Sequence, residues 1–183
     1  RDEPVVAQRQ LATTGHVGIV DYDPAELVLT ARSGTTLSDI EAALAAHGQM
    51  LAFEPPHYGP ESTLGGAIAT ALSGPGRPFV GGVRDFVLGM HVIDGKGDLL
   101  RFGGQVMKNV AGYDVSRLMT GSLGILGLIT QVSLKVLPIP LAKATLRFQM
   151  AEAEAIHCVN EWSGKPLPLT ASVWADGVLH VRL

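Results

Sequence analysis

The 183-residue chain is long enough for one sizeable core, or for one core and the beginning of a second. Apolar residues make up 46% and charged residues only 17% of the sequence, which excludes an intrinsically disordered protein. The net charge of -3 comes with no basic cluster, so nucleic-acid binding is excluded, and no apolar run approaches the length of a membrane span.

Hydrophobic periodicity and turn residues predict a series of short elements in the first 140 residues. In chain order these are a strand pair over 18–21 and 26–32, a helix over 37–47, a strand over 50–53, a helix over 63–72, a hairpin over 87–94 and 98–102, a short helix over 113–119 and a strand over 128–136. The helix over 37–47 has the clearest signals, because Thr36-Leu-Ser-Asp39 forms a capping box and Gly48 follows the last apolar position. An extended segment is predicted over 54–57, since proline disfavours α geometry in the residue before it.

The strand over 128–136 alternates with period two, which predicts that one face is buried. The face expected in the core carries Leu128, Thr130, Val132, Leu134 and Val136. Two prolines, Pro138 and Pro140, then interrupt the pattern. Beyond them the sequence predicts a strand over 142–150, a helix over 152–162 and strands over 170–175 and 178–183. This order of elements predicts two domains, over 1–140 and 141–183.

Two glycine clusters, over 62–70 and 121–127, are candidates for binding an anion or a flat ring through backbone N–H groups. A glycine pair taken alone more often marks a tight turn. A dinucleotide-binding fingerprint requires a helix after the glycines, but an alternating strand follows the second cluster, so that interpretation fails. Neither a phosphate-binding P-loop sequence nor the nucleophile elbow of serine hydrolases is present.

Three motifs in order carry a resemblance to a known family: Thr63-Leu-Gly-Gly-Ala67, Gly82-Val-Arg-Asp-Phe-Val-Leu-Gly89 and the segment 121–135. Together they resemble the FAD-binding fold of the vanillyl-alcohol oxidase family, the PCMH-type FAD-binding proteins. Four further segments, over 54–59, 77–78, 84–89 and 106–118, are similar to the FAD-binding E subunits of bacterial glycolate oxidases. The similarity extends over about residues 16–183.

The resemblance implies an α+β fold, in which a PCMH-type FAD-binding domain over 1–140 precedes the start of a ferredoxin-like cap domain over 141–183. It also implies non-covalent FAD. The residues that it places at the cofactor are Pro56, Ser62, Thr63, Leu64, Gly65, Gly66, Ala69, Thr70, Gly82, Val83, Gly124, Gly127 and Ile129. In the family the main pyrophosphate loop lies upstream of the position that matches Arg1. We therefore expect these 183 residues alone to bind FAD weakly or not at all.

The function implied by the resemblance is that of an FAD-binding subunit in a glycolate oxidase complex, which oxidises glycolate, a 2-hydroxy acid, to glyoxylate. Its expected partners are a sister FAD-containing catalytic subunit and an iron–sulfur subunit to which the flavin relays electrons. The expected location is the cytoplasm or, through the partners, the inner face of the membrane. Two alternatives stay open: a stand-alone FAD-dependent dehydrogenase of a 2-hydroxy acid such as lactate, and a non-catalytic assembly subunit with an empty flavin site.

Oxidation of a hydroxy acid calls for a base near the carbinol and a cation for the carboxylate. The polar candidates for these roles are His57, His91, Arg84, Arg117 and Lys108. A backbone hydrogen bond is expected for the histidine in the proline loop, and structural ion pairs are expected for Arg84 with Asp85 and for Arg117 with Asp114. No catalytic residue is assigned. The single cysteine, Cys158, allows no disulfide and no paired-cysteine metal motif, so we predict no metal site and a reducing compartment.

Overall fold

The computed structural model describes residues 11–105 and 113–183, so the candidate Lys108 lies outside the described residues. The elements are β1 (Ile19–Asp23), β2 (Val28–Arg32), α1 (Leu37–Ala45), β3 (Gln49–Met50), α2 (Leu64–Thr70), α3 (Arg77–Val80), α4 (Val83–Phe86), β4 (Val87–Ile93), β5 (Leu99–Gly103), α5 (Val115–Met119), β6 (Leu128–Lys135), β7 (Leu137–Pro138), β8 (Thr145–Gln149), α6 (Glu152–Ser163), β9 (Ala171–Ala175) and β10 (Val178–Arg182). The mixture of helices and antiparallel sheets confirms the predicted α+β class.

A five-stranded antiparallel sheet with the strand order β1-β2-β6-β4-β5 supports the larger of two hydrophobic cores. Helix α1 begins where the Thr36 hydroxyl accepts a hydrogen bond from the Asp39 N–H at 3.1 Å. Its Leu37, Ile40 and Leu44 then recur at helical spacing and are fully buried in this core. Apolar residues of α2 enter the same core, which positions this helix beside the sheet.

Strand β6 contains a β-bulge that changes which of its side chains face the core. Two consecutive residues of β4 pair with residues of β6 that stand on either side of Thr130, which leaves Thr130 as the extra residue. The expectation that Leu128 and Thr130 share a buried face with Val132 is therefore wrong. The bulge turns Ile129 into the core instead, and this side chain is only 6% exposed.

The segment after the two prolines forms a second, three-stranded antiparallel sheet with the order β8-β10-β9. Strand β10 lies between β8 and β9, and α6 connects those two outer strands, which is a split β-α-β arrangement of the ferredoxin-like kind. Ala155, Leu179 and Val181 form a small core of their own, against which Trp162 and Trp174 pack. The strand–helix–strand–strand order predicted for this segment is confirmed.

The predicted strand over 50–53 is wrong, because only Gln49–Met50 forms β3, where it pairs with β7. The chain turns after it: the Glu54 N–H donates to the carbonyl of Leu51 at 3.0 Å, and Phe53 is buried. Glu54 has a φ of 48°, so the prediction of an extended segment is also wrong at this residue. The Glu54 carboxylate pairs at 2.7 Å with Arg182 of β10, which links this turn to the three-stranded sheet.

The helices are short throughout the described ranges, and the longest, α6, has 12 residues. Helices α3 and α4 have four residues each and were not predicted, since so short a helix carries no measurable periodicity. Within 11–105 and 113–183, no helix combines the length and the apolar character that a bilayer span requires.

Candidate functional site

A cleft of about 630 Å³ lies where α2 faces the loop before β6. Its other walls come from the loop between β2 and α1, from the turn between β4 and β5, and from the beginning of the described N-terminal segment. The lining residues are Leu11, Thr13, Ser33, Thr63, Gly65, Gly66, Ala69, Ile93, Asp94, Gly95, Leu123, Gly124, Ile125, Leu126, Gly127, Leu128 and Ile129. A volume in this range is typical of cofactor and small-molecule sites.

The first wall of this principal cleft is the start of α2. The Thr63 hydroxyl accepts a hydrogen bond from the Gly66 N–H at 3.2 Å, which begins the helix. The Gly65 N–H donates to the carbonyl of Ser33 at 2.7 Å. A Cβ at position 65 would lie 2.8 Å from the Ser33 Cβ, so the helix can approach the end of β2 this closely only because residue 65 is glycine.

The opposite wall is the loop over 121–127, which is held against α2 by backbone hydrogen bonds. The Leu123 N–H donates to the carbonyl of Ala69 at 2.9 Å, and Leu123 itself has a φ of 57°, in the left-handed region. The next wall residues, Gly124 and Gly127, also have positive φ, of 78° and 151°. Their N–H groups have no acceptor among residues 11–105 and 113–183, so both donors are free for a ligand.

A second, smaller cleft of about 290 Å³ lies on the other side of α2. It is lined by Leu37, Pro56, Tyr58, Glu61, Ser62, Thr63, Gly66, Ala67 and Thr70. Thr63 and Gly66 line both clefts, so the two clefts are neighbours on either side of the start of α2. An extended ligand that crosses this face would contact both glycine clusters.

Ten of the thirteen cofactor contacts expected from sequence line one cleft or both. The principal cleft has Thr63, Gly65, Gly66, Ala69, Gly124, Gly127 and Ile129, and the smaller one adds Pro56, Ser62 and Thr70. Leu64 is fully buried in the core. Gly82 and Val83 line neither cleft. Their N–H groups already have protein acceptors, the Asp85 carboxylate at 2.9 Å and the Ser73 hydroxyl at 3.1 Å. Cofactor contact by any of the thirteen remains a prediction.

Sequence reasoning missed Ser33, a wall residue of the principal cleft. The residue is only 3% exposed, and its hydroxyl has no hydrogen-bond partner within the described parts of the chain. The available signal was its position at the carboxyl end of a buried strand and directly before Gly34, where the backbone turns toward α1.

Four of the polar catalytic candidates, His57, His91, Arg84 and Arg117, lie outside both clefts, and the fifth lies outside the described residues. His57 bonds Glu41 at 3.1 Å through its ring, so the expected backbone partner is wrong. Burial lowers the pKa of His91, and the nearby Arg101 guanidinium lowers the same pKa further. The ion pair of Arg117 with Asp114 is confirmed at 3.2 Å.

The second ion pair expected from sequence, between Arg84 and Asp85, is absent from the described residues. Asp85 instead caps the short helix α4 through the Gly82 N–H, and the guanidinium of Arg84 donates to the carbonyl of Arg117 at 3.3 Å. Across 11–105 and 113–183, no three His, Cys, Asp or Glu side chains gather where they could hold a metal ion.

Comparison with known proteins gives one family model, the FAD binding domain, which matches residues 9–103. The chain is 56% identical over 180 residues to the glycolate oxidase subunit GlcE of Escherichia coli (strain K12), with 98% of this chain and 51% of that protein covered. It is 37% identical to the glycolate oxidase subunit GlcD of Bacillus subtilis (strain 168), with 83% of this chain and 33% of that protein covered. The chain thus spans about half or less of the length of these relatives.

Two further proteins extend the comparison. A D-lactate dehydrogenase of Archaeoglobus fulgidus is 33% identical, with 82% of this chain and 34% of that protein covered. Among solved structures, an alkyldihydroxyacetonephosphate synthase is similar with a TM-score of 0.69 at 25% identity, with 85% of this chain and 28% of the other covered.

The residues of the principal cleft fit FAD. The cleft offers two backbone N–H donors without acceptors and one buried hydroxyl without a partner among the described residues. Such donors suit a ligand that is rich in acceptor oxygens. Gly65 and Gly127 let the two walls pack closely on the end of β2 and on β4, since a Cβ at either position would collide with its neighbours there. The sequence match and this cleft agree, and the chain belongs to the FAD binding domain family.

Proposed function

We propose that this chain is the FAD-binding part of a subunit of a glycolate oxidase complex, which oxidises glycolate to glyoxylate. The observation that carries the proposal is the principal cleft, in which both glycine clusters meet. The 56% identity to a glycolate oxidase subunit supports the choice of glycolate. In this proposal the flavin relays electrons between a sister FAD-containing catalytic subunit and an iron–sulfur subunit, in the cytoplasm or at the inner face of the membrane.

We also propose the division of labour along the chain. Residues 1–140 bind the cofactor and residues 141–183 begin a cap domain, which is supported by the two separate cores. The stretch 62–70, with Pro56 beside it, lies along the pyrophosphate and the flavin ring. Gly124, Gly127 and Ile129 approach the ribityl chain or the adenosine half.

When bound, FAD supplies the reversible uptake of two electrons and a proton, and the protein supplies orientation and shielding. The N–H groups of Gly124 and Gly127 donate to oxygen atoms of the cofactor. Glycine at position 65 lets the start of α2, one wall of the cleft, pack closely against the end of β2. The apolar residues Ile125 and Leu126 at the mouth of the cleft reduce the access of water to it.

A second candidate function is that of a stand-alone FAD-dependent dehydrogenase for a 2-hydroxy acid such as D-lactate. The similarity to a D-lactate dehydrogenase favours it. The two candidates differ in whether the chain needs partners for the chemistry.

The visible spectrum of the purified full-length protein tests these functions. Bleaching of the flavin bands by glycolate only when both partner subunits are present is the result we expect. Bleaching by glycolate or D-lactate without any partner would favour the stand-alone enzyme. A full-length protein that stays colourless after FAD is added would contradict both candidates and indicate an assembly subunit.

A further inference from the structure

The Ser33 side chain combines deep burial with an unused hydrogen-bonding group. The residue is 3% exposed, and its hydroxyl contacts no donor or acceptor within residues 11–105 and 113–183. Buried polar groups in folded proteins almost always have a partner, because leaving one unpaired forfeits its hydration without replacement. Ser33 also lines the principal cleft, so its unpaired hydroxyl is available to a group bound there.

The backbone of Ser33 is held on both sides, so the position of its Cβ is fixed. Its N–H donates to the carbonyl of Thr130 in β6 at 2.9 Å, and its carbonyl accepts the Gly65 N–H at 2.7 Å. Its Cβ also packs against the bare backbone of Gly65. The hydroxyl is thus the one hydrogen-bonding group of Ser33 without a partner among the described residues.

The surroundings define the chemistry of the ligand. Across the same cleft, the N–H groups of Gly124 and Gly127 are donors without acceptors among the described residues. A hydroxyl can join them as a third donor, and three donors match a group that presents several acceptor oxygens. Of the groups in the cofactor of this family, the pyrophosphate and its neighbouring sugar oxygens have that character.

We propose that the Ser33 hydroxyl is a cofactor-binding group, which donates a hydrogen bond to an oxygen of the bound FAD. The proposal rests on FAD binding in the proposed function, but not on glycolate or on any partner. It adds to the site a contact from the end of β2, where the sequence predicts no cofactor residue.

The test is Ser33→Ala in the full-length protein after its flavin has been removed. FAD is titrated by the quenching of its fluorescence, and the thermal midpoint of the flavin-free protein is measured beside it. We expect about fivefold to tenfold weaker FAD binding, the effect of one lost hydrogen bond. We also expect an unchanged or higher thermal midpoint without FAD, because the hydroxyl has no partner to lose in that state.

Ser122→Ala is the matched control. The Ser122 hydroxyl is also buried and unpaired within the described ranges, but this residue does not line the cleft. FAD should bind this variant as tightly as it binds the wild type. The proposal is overturned if Ser33→Ala binds FAD with wild-type affinity, if both variants lose affinity equally, or if Ser33→Ala lowers the midpoint of the flavin-free protein.

The titration also separates this proposal from the proposed function. Wild-type affinity in Ser33→Ala, together with reduction of the wild-type flavin by glycolate, would remove only the Ser33 contact. A wild-type flavin that glycolate never reduces would remove the glycolate function and leave the Ser33 contact to be judged by the affinities alone.

Discussion

Replacing Gly65 by alanine tests whether the close contact between β2 and α2 depends on the absence of a side chain. A Cβ at position 65 would lie 2.8 Å from the Ser33 Cβ and 3.0 Å from the Ser33 carbonyl oxygen. The Ser33 backbone cannot move away freely, because its N–H is bonded to β6. The alanine must therefore push the start of α2 away from the sheet.

The expected cost follows from three contributions. Overpacking of this kind costs about 1–3 kcal/mol. Weakening the Gly65 N–H bond costs about 1 kcal/mol more, and the better helix propensity of alanine offsets a similar amount. We expect a net loss of about 1–3 kcal/mol in the free energy of unfolding, measured by urea denaturation of the flavin-free full-length protein.

Gly66→Ala is the matched control, since it makes the same chemical change one residue later in the same helix. A Cβ at Gly66 would meet only the Thr63 hydroxyl, at 3.3 Å. Stability should stay level or rise by up to about 1 kcal/mol, while FAD affinity falls because the new methyl group stands in the wall of both clefts. If Gly65→Ala unfolds at the wild-type urea concentration, the argument from close backbone contact is refuted.

Three other substitutions test the frame of the site by urea denaturation. Thr63→Ala should cost about 1 kcal/mol through the lost helix cap, and Thr63→Ser should restore most of it; equal losses would contradict the cap. Gly127→Ala should cost about 2 kcal/mol or more, because its Cβ would lie 2.7 Å from the Val92 side chain at a φ of 151°; wild-type stability would exclude this clash. The ion pair of Glu54 with Arg182 is about one quarter exposed, so a double-mutant cycle of Glu54→Gln and Arg182→Met should give a coupling energy of about 1 kcal/mol. Additive losses of stability would mean that the pair contributes nothing.

The elements that sequence predicted well are those whose signals are local. Helix α1 has its cap, its apolar spacing and its terminal glycine within thirteen residues of sequence. The structure confirms the Thr36 half of the capping box and the buried apolar positions, and Gly48 has a positive φ of 65° just beyond the C-cap Ala46. The strand–helix–strand–strand order after Pro140 was equally readable, since each element there has its own periodicity. The glycine clusters were visible for the same reason, although only the structure shows that they line a common cleft.

The features that sequence missed depend on contacts between distant segments. The bulge at Thr130 arises where β6 pairs with β4, beside His91, which is 39 residues away in sequence. The Thr130 carbonyl also accepts a hydrogen bond from the Ser33 N–H. The left-handed turn at Glu54 is paired with Arg182, which lies 128 residues later in the three-stranded sheet. The unpaired hydroxyl of Ser33 likewise becomes visible only once α2 has packed against β2. Hydrophobic alternation and residue propensity describe a segment by itself, so neither could predict the bulge, the turn or the unpaired hydroxyl.

The two glycine clusters form one site because the loop over 121–127 is docked on α2 by its backbone. The Gly121 N–H donates to the carbonyl of Ile68 at 3.0 Å, and the Leu123 N–H donates to that of Ala69 at 2.9 Å. Ile68 is itself fully buried in the main core, so the packing of α2 determines where the loop lies. A shift of α2 away from β2 therefore moves both walls together, away from Ser33 and the turn between β4 and β5, which also line the cleft. For this reason a substitution at Gly65 should weaken FAD binding even though the loop that carries Gly124 and Gly127 is chemically untouched.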